Sequence, residues 1–188
     1  YNVTEDADLG LRIFRYRLTT VVFNSYTLEE ANSQLGNWLR QRTRWEKGFL
    51  MTLLVNLRHP LRASAEIGWW RYLQSLFSVA SNFFLPLFNP VLWIVFAASF
   101  LPLLPSLALS VPSLPLKAIG LFNLIAGNLT YLIVNAIVVI KKRQLDLVPF
   151  VLLLPAYWML LSIACWRAVW QFVRDPYRWE KTRHGIAN

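Results

Sequence analysis

The sequence predicts a mainly α-helical membrane protein with a water-facing N-terminal part, and three observations carry that expectation. The 188 residues are 56% hydrophobic and only 15% charged, with a mean hydropathy of +0.39. From Tyr72 to Ile140, 69 residues, the single formal charge is Lys117. A run of that length avoids water only inside a large core or a bilayer, and a chain this short cannot build such a core. Acidic residues gather at the other end: seven of the ten, Glu5, Asp6, Asp8, Glu29, Glu30, Glu46 and Glu66, precede the apolar run. Together these values exclude a disordered tail and an ordinary soluble domain.

The formal net charge is +9. Its distribution, with Lys117 alone in the long apolar run, is not that of a nucleic-acid binder, so no nucleic-acid partner is expected. Cys165 is the only cysteine. An intrachain disulfide and a CxxC metal site are therefore impossible, and the polar part suits a reducing compartment. The chain opens on YNVTEDADLG, without Met, a basic n-region or an apolar h-region. That reads as the middle of a domain, and the expectation is a C-terminal portion of a longer protein.

The elements follow in order. Thr4 before Glu5, Asp6 and Asp8 reads as a helix start, because a hydroxyl caps free N–H groups and carboxylates suit the positive end of the helix dipole. Leu9, Ile13 and Phe14 would form its buried stripe. Thr20 to Tyr26 is β-branched and aromatic, which predicts a short strand. Leu28 to about Leu57 reads as one or two helices ended at His59-Pro60. Four apolar stretches come next, at about residues 72–88, 91–109, 118–140 and 147–170. The third has 23 uncharged residues and the uncharged core of the fourth, Leu147 to Trp166, has 20; about 20 residues at 1.5 Å each cross the hydrocarbon. The first, carrying Gln74, Ser75, Ser78, Ser81, Asn82 and Pro86, is polar enough to lie in the interface instead.

Loop charge bears on the count, since short Lys- and Arg-rich loops stay cytoplasmic. With four crossings and a cytoplasmic polar part, Arg58, Arg62, Arg71, Lys117, Arg174, Arg178, Lys181 and Arg183 lie inside, against Lys141, Lys142 and Arg143 outside. With three crossings the tally is six against five, so four fit better. The expected division is residues 1–71 as the polar part, 72–173 as membrane helices and 174–188 as a cytoplasmic tail.

Two motifs carry chemistry. The first is Thr4-Glu5-Asp6; the second is Gln41-Arg42-Thr43-Arg44-Trp45. On a helix Gln41, Arg44 and Trp45 share one face. An amide, a fixed cation and an aromatic plate suit a diphosphate and a sugar: the guanidinium fork grips phosphate oxygens and the apolar face of a pyranose lies on the ring. Each motif also has a plainer reading, Thr-Glu-Asp as a helix cap and the Arg-rich segment as a lipid-headgroup face anchored by Trp45. In the third apolar stretch, Asn123, Asn128 and Asn135 suit either interhelical hydrogen bonds eased by Gly120 and Gly127 or the lining of a wet channel.

VTEDADLGLR, then QRTRWEKG, then several spans resembles the C-terminal half of a membrane-embedded family 2 glycosyltransferase of the cellulose synthase-like kind. FNPVLW from Phe88 to Trp93 and the tail from Trp179 to Gly185 are similar to bacterial members. The resemblance implies that residues 1–71 are the C-terminal remnant of an α/β (GT-A-like) catalytic domain with interfacial helices. It implies Asp6 as general base on the acceptor hydroxyl, and Glu5, Gln41, Arg44 and Trp45 as substrate-binding residues. It implies a nucleotide-sugar donor, a polysaccharide or lipid-linked acceptor, membrane lipids as surroundings, and a bacterial inner (cell) membrane location with the catalytic part cytoplasmic. Product export through the spans goes with the same likeness. A divalent metal, Mg²⁺ or Mn²⁺, is expected in the full-length enzyme, with its ligands outside this chain: the only DxD here, Asp6-Ala7-Asp8, overlaps the proposed base. No metal ligand is assigned, and this chain alone is expected to be inactive. A gating segment between later helices has no counterpart, because the Ser110 to Lys117 connection is short. The competing reading is a non-enzymatic polytopic membrane protein or transporter with a basic lipid-binding arm.

Overall fold

The computed structural model describes residues 4–27, 29–98, 114–178 and 180–181, and these are mainly helical. They form two compact units, one from residues 1–87 with 161–188 and one from residues 88–160. Their helices are α1 (Glu5–Arg15), α2 (Leu35–Asn56), α3 (Pro60–Ile67), α4 (Trp69–Ala98), α5 (Leu114–Lys141), α6 (Val148–Val151) and α7 (Leu154–Arg174).

In the first unit α1 starts where the Thr-Glu-Asp signal puts it, but not by side-chain capping. Thr4 occupies the N-cap without a side-chain cap bond. Its hydroxyl instead lies 3.1 Å from that of Thr52, buried, while the Asp8 N–H donates to the Thr4 carbonyl. Leu9 and Phe14 are exposed, Ile13 is half-buried and α1 buries no residue, so its expected apolar stripe is not a buried one. The predicted strand at Thr20 to Tyr26 is exposed chain. A strand needs a neighbouring edge to complete its ladder, and no strand occurs among the described residues.

The region from 28 to 57 holds one long helix, α2, preceded by irregular chain. Its buried residues are mostly polar: Asn37, Thr43, Glu46, Lys47, Gly48, Thr52 and Leu53. Pro60 does not merely end that region. It opens α3 at the first helical position, where a missing N–H costs nothing. Gly68, at φ +88°, closes α3 in a conformation that side chains resist. The chain then turns directly into α4, whose Tyr72 hydroxyl donates to the Asn56 carbonyl and packs with Ala63, Ile67 and Leu76. Further along, Phe83 and Leu87 of α4 meet Cys165 and Val169 of α7 and Phe49 and Leu50 of α2. The small residues Ser162, Ala164, Cys165 and Ala168 form the buried face of α7, which lets helices approach closely.

The first two apolar stretches are a single helix over residues 69–98, unbroken from Phe88 to Val91; residues 99–109 lie outside the described residues. Pro86 and Pro90 leave the Asn82 and Pro86 carbonyls without their usual helical donors, yet the helix continues. In the second unit α5 exposes Ile125, Leu129, Ile133 and Ile137. Asn128 and Asn135 donate to the Leu124 and Tyr131 carbonyls one turn back, so these amides serve their own helix. Gly127 has nothing close to it and eases no helix contact among the described residues. Arg143, at φ 56°, reverses the chain after α5, and Tyr131 and Trp158 meet with ring centroids 5.2 Å apart.

The fourth stretch is not one straight rod. A 3-10 turn (Leu145–Leu147) and α6 precede α7 at a bend of 64°. Pro155 explains the break, because its ring excludes the N–H that would reach the Val151 carbonyl and collides with that carbonyl. Where four spans are expected, two helices, Trp69–Ile94 and Leu114–Lys141, are long and apolar enough to cross a membrane, or three if the bent pair is one span. Such helices, with their apolar side chains largely exposed, make this a membrane-associated chain.

Candidate active site

The first motif reaches α2, the helix that carries the second, at Thr4. Residues 41, 45, 48 and 52 recur at helical spacing, with Arg44 beside them. Thr4 rests on the lower part of that face, against Gly48 and Thr52. A Cβ at Gly48 would lie 2.6 Å from the Thr4 methyl and 2.9 Å from its hydroxyl oxygen. From Thr4 the helix α1 runs on past Val55 and Asn56 to Glu66 of α3, so Asp6, about 3 Å along it, lies on the far side of Gly48 from Arg44, which precedes Gly48 by about 6 Å. The contact joins Thr4 of the first motif to Gly48 and Thr52, which lie outside the second.

Glu5 and Asp6 are both exposed. The Asp6 carboxylate accepts the Ala7 N–H at 2.8 Å, which fixes its direction while leaving it open to water. Gln41, Arg44 and Trp45 are half-buried. Gln41 is tied at one end: its carbonyl oxygen accepts from Asn32 at 2.7 Å, and Asn32 in turn accepts from the buried Asn37 at 2.5 Å. Trp45 is not an open plate on both sides. The Arg42 guanidinium lies 4.3 Å from its ring centroid and 5.7 Å from that of Trp38, a cation–π arrangement that leaves at most one face for a sugar.

Behind this face the packing is unusually polar. Burial pushes the Glu46 carboxyl up to about 8, against the opposing pull of Arg42, so Glu46 is neutral at pH 7. Lys47 is buried, and its ammonium donates to the Arg178 carbonyl at 2.5 Å. Burial draws its pKa below the ordinary value, opposed by Asp175 and Glu180. Arg167 of α7 bridges Thr43, at 3.3 Å, to Glu180, at 2.8 Å. The segment after α7 is thereby tied to α2.

The residues present do not fit a divalent metal. Asp6 holds a backbone N–H, and Asp8, about 200° away around the helix, is bridged to Arg12 at 2.9 Å. Two carboxylates so directed cannot share one ion, and no group of three or more His, Cys, Asp or Glu that could hold a metal occurs among the described residues. Motif reading includes Arg42 without giving it a role in the site and passes over Gly48 and Thr52. The signal for the latter two was present, since they repeat the Gln41 and Trp45 stripe one and two turns on.

An exposed carboxylate on α1 and a helix face of amide, guanidinium and indole on α2, in a chain with helices long and apolar enough to cross a membrane, suit the chemistry of a membrane-associated group-transfer enzyme. The comparison with known families agrees: the chain matches the family model described as Glycosyl transferase family group 2 over residues 1–173, and it belongs to that family. No curated protein and no solved structure matches it.

Proposed function

We propose that this chain is the acceptor-side and membrane portion of an inverting hexosyltransferase of the cellulose synthase-like kind, the C-terminal half of a longer enzyme. Residues 1–71 form the end of its GT-A-like catalytic domain, facing the cytoplasm of a bacterial cell. The donor is a nucleotide sugar and the acceptor a growing polysaccharide or a lipid-linked glycan. The observation that supports this reading is the helix face of Gln41, Arg44 and Trp45 on α2, against which α1 packs through Thr4 on Gly48 and Thr52 with Asp6 exposed at its start.

In the proposed reaction the acceptor hydroxyl oxygen bonds to the anomeric carbon as the bond from that carbon to the diphosphate oxygen breaks. The hydroxyl proton passes to Asp6, and a positioned base of this kind contributes about 10²- to 10⁴-fold. Arg44 faces the negative charge gathering on the departing diphosphate. Gln41 and Glu5 orient sugar hydroxyls, and Trp45 receives the apolar face of a pyranose opposite Arg42. A single displacement inverts the anomeric centre.

The test is a panel of radiolabelled nucleotide sugars offered to the full-length protein in membranes. Arg44→Ala and Trp45→Phe should each cut transfer strongly with normal membrane insertion. Undiminished transfer in both variants would leave the helix face as a lipid-binding arm and reject the reading.

A further inference from the structure

A polar groove of the first unit lies between α1, the end of α2 and α3. It encloses about 640 Å³ and is lined by Arg12, Arg15, Arg17, Arg62, Asp8 and Glu66, among others. Four guanidinium groups thus face two carboxylates. Glu66 is shared: it accepts from Arg15 at 2.9 Å and from Arg62 at 3.2 Å. Arg17 sits at φ 58°, a backbone setting rare for a side-chain-bearing residue. That turn brings its guanidinium to the Glu66 carbonyl at 3.0 Å. The excess of two positive charges is therefore held in place by the fold.

The depth of the groove is also set. Glu66 and Arg62 precede Trp69, the first residue of the α4 apolar stretch, by three and seven positions. Trp69 and Trp70 are exposed at that junction, as aromatic residues are at the headgroup level of a bilayer. Guanidinium forks match phosphate oxygens in geometry.

We propose that this groove binds a phosphate-bearing anion at headgroup depth, with the phosphodiester of an anionic lipid as its ligand. The same chemistry would accept a soluble phosphate, and the experiment separates the two. The full-length protein, stripped of lipid in detergent, is offered equimolar phosphatidylglycerol and phosphatidylcholine, and retained lipid is counted by native mass spectrometry. Labelled pyrophosphate binding is measured in parallel. Arg12→Gln/Arg62→Gln removes two exposed charges, on side chains 67% and 79% exposed. Lys141→Gln/Lys142→Gln removes two charges at the end of α5 as a control.

At about 1 kcal/mol per basic residue near a lipid surface, the groove variant should lose more than about tenfold of the phosphatidylglycerol preference, and the control little. If the double variant fails to fold, each single variant should show a partial loss. A loss confined to pyrophosphate binding supports the groove and assigns it to soluble phosphates. Equal losses in groove and control variants, or no loss in the groove variant, overturn the proposal.

Discussion

Thr4 lies on Gly48 so closely that a methyl group added to the glycine would come within 2.6 Å of the threonine methyl. The contact joins the start of the helix carrying Asp6 to the helix carrying Gln41, Arg44 and Trp45. Its geometry sets how the helix of the proposed base packs on the helix of the proposed substrate-binding face. Gly48→Ala should therefore destabilise the protein by about 1–3 kcal/mol through overpacking. Thr4→Ala added to it should recover part of the loss, because the clashing methyl and hydroxyl are gone. Thermal unfolding of the two variants measures this coupling, and strictly additive effects would contradict the contact.

Glu46 makes a pH prediction. Its carboxyl is held near 8 in the folded chain against an ordinary 4.5. Below about 4.5 both states carry the proton. Between 4.5 and 8 the unfolded chain releases it and the folded chain keeps it, so stability falls as pH rises through that window and levels off above it. Glu46→Gln should be more stable than the native chain at pH 8, with the difference shrinking by pH 5. Parallel unfolding curves for the two proteins across this range would rule the buried acid out.

Glu180 ties the chain after α7 to Arg167, which also reaches Thr43 of α2. The pair is only partly exposed, so Glu180→Gln should cost about 1 kcal/mol, after allowance for solvent screening. The larger effect is local. Residues 175–181 should be cleaved faster by a protease in the variant than in the native chain, while cleavage at the α1 to α2 connection stays unchanged.

Much of this architecture is legible in the sequence, and the failures have physical causes. Helix α1 begins at Thr4 as Thr-Glu-Asp suggests, but the hydroxyl pairs with Thr52, 48 residues away. No local signal reveals a partner at that distance. The Asn128 and Asn135 amide nitrogens donate to carbonyls of their own helix, which spacing alone could not distinguish from contacts between helices. The first two apolar stretches run together because α4 tolerates Pro86 and Pro90, whereas Pro155 does break its segment. Proline marks where a helix bond is lost, not whether the helix stops. The α2 face was legible as Gln41, Arg44 and Trp45; the stacking of Arg42 on Trp45 depends on side-chain conformations that a motif does not encode.

Asp6 is the residue on which the enzymatic account turns. The most direct measurement is incorporation of labelled sugar by the full-length protein carrying Asp6→Asn, compared with the native protein at equal membrane insertion. The account predicts a loss of about 10²- to 10⁴-fold, the contribution of a positioned general base. Incorporation at the native rate would contradict it.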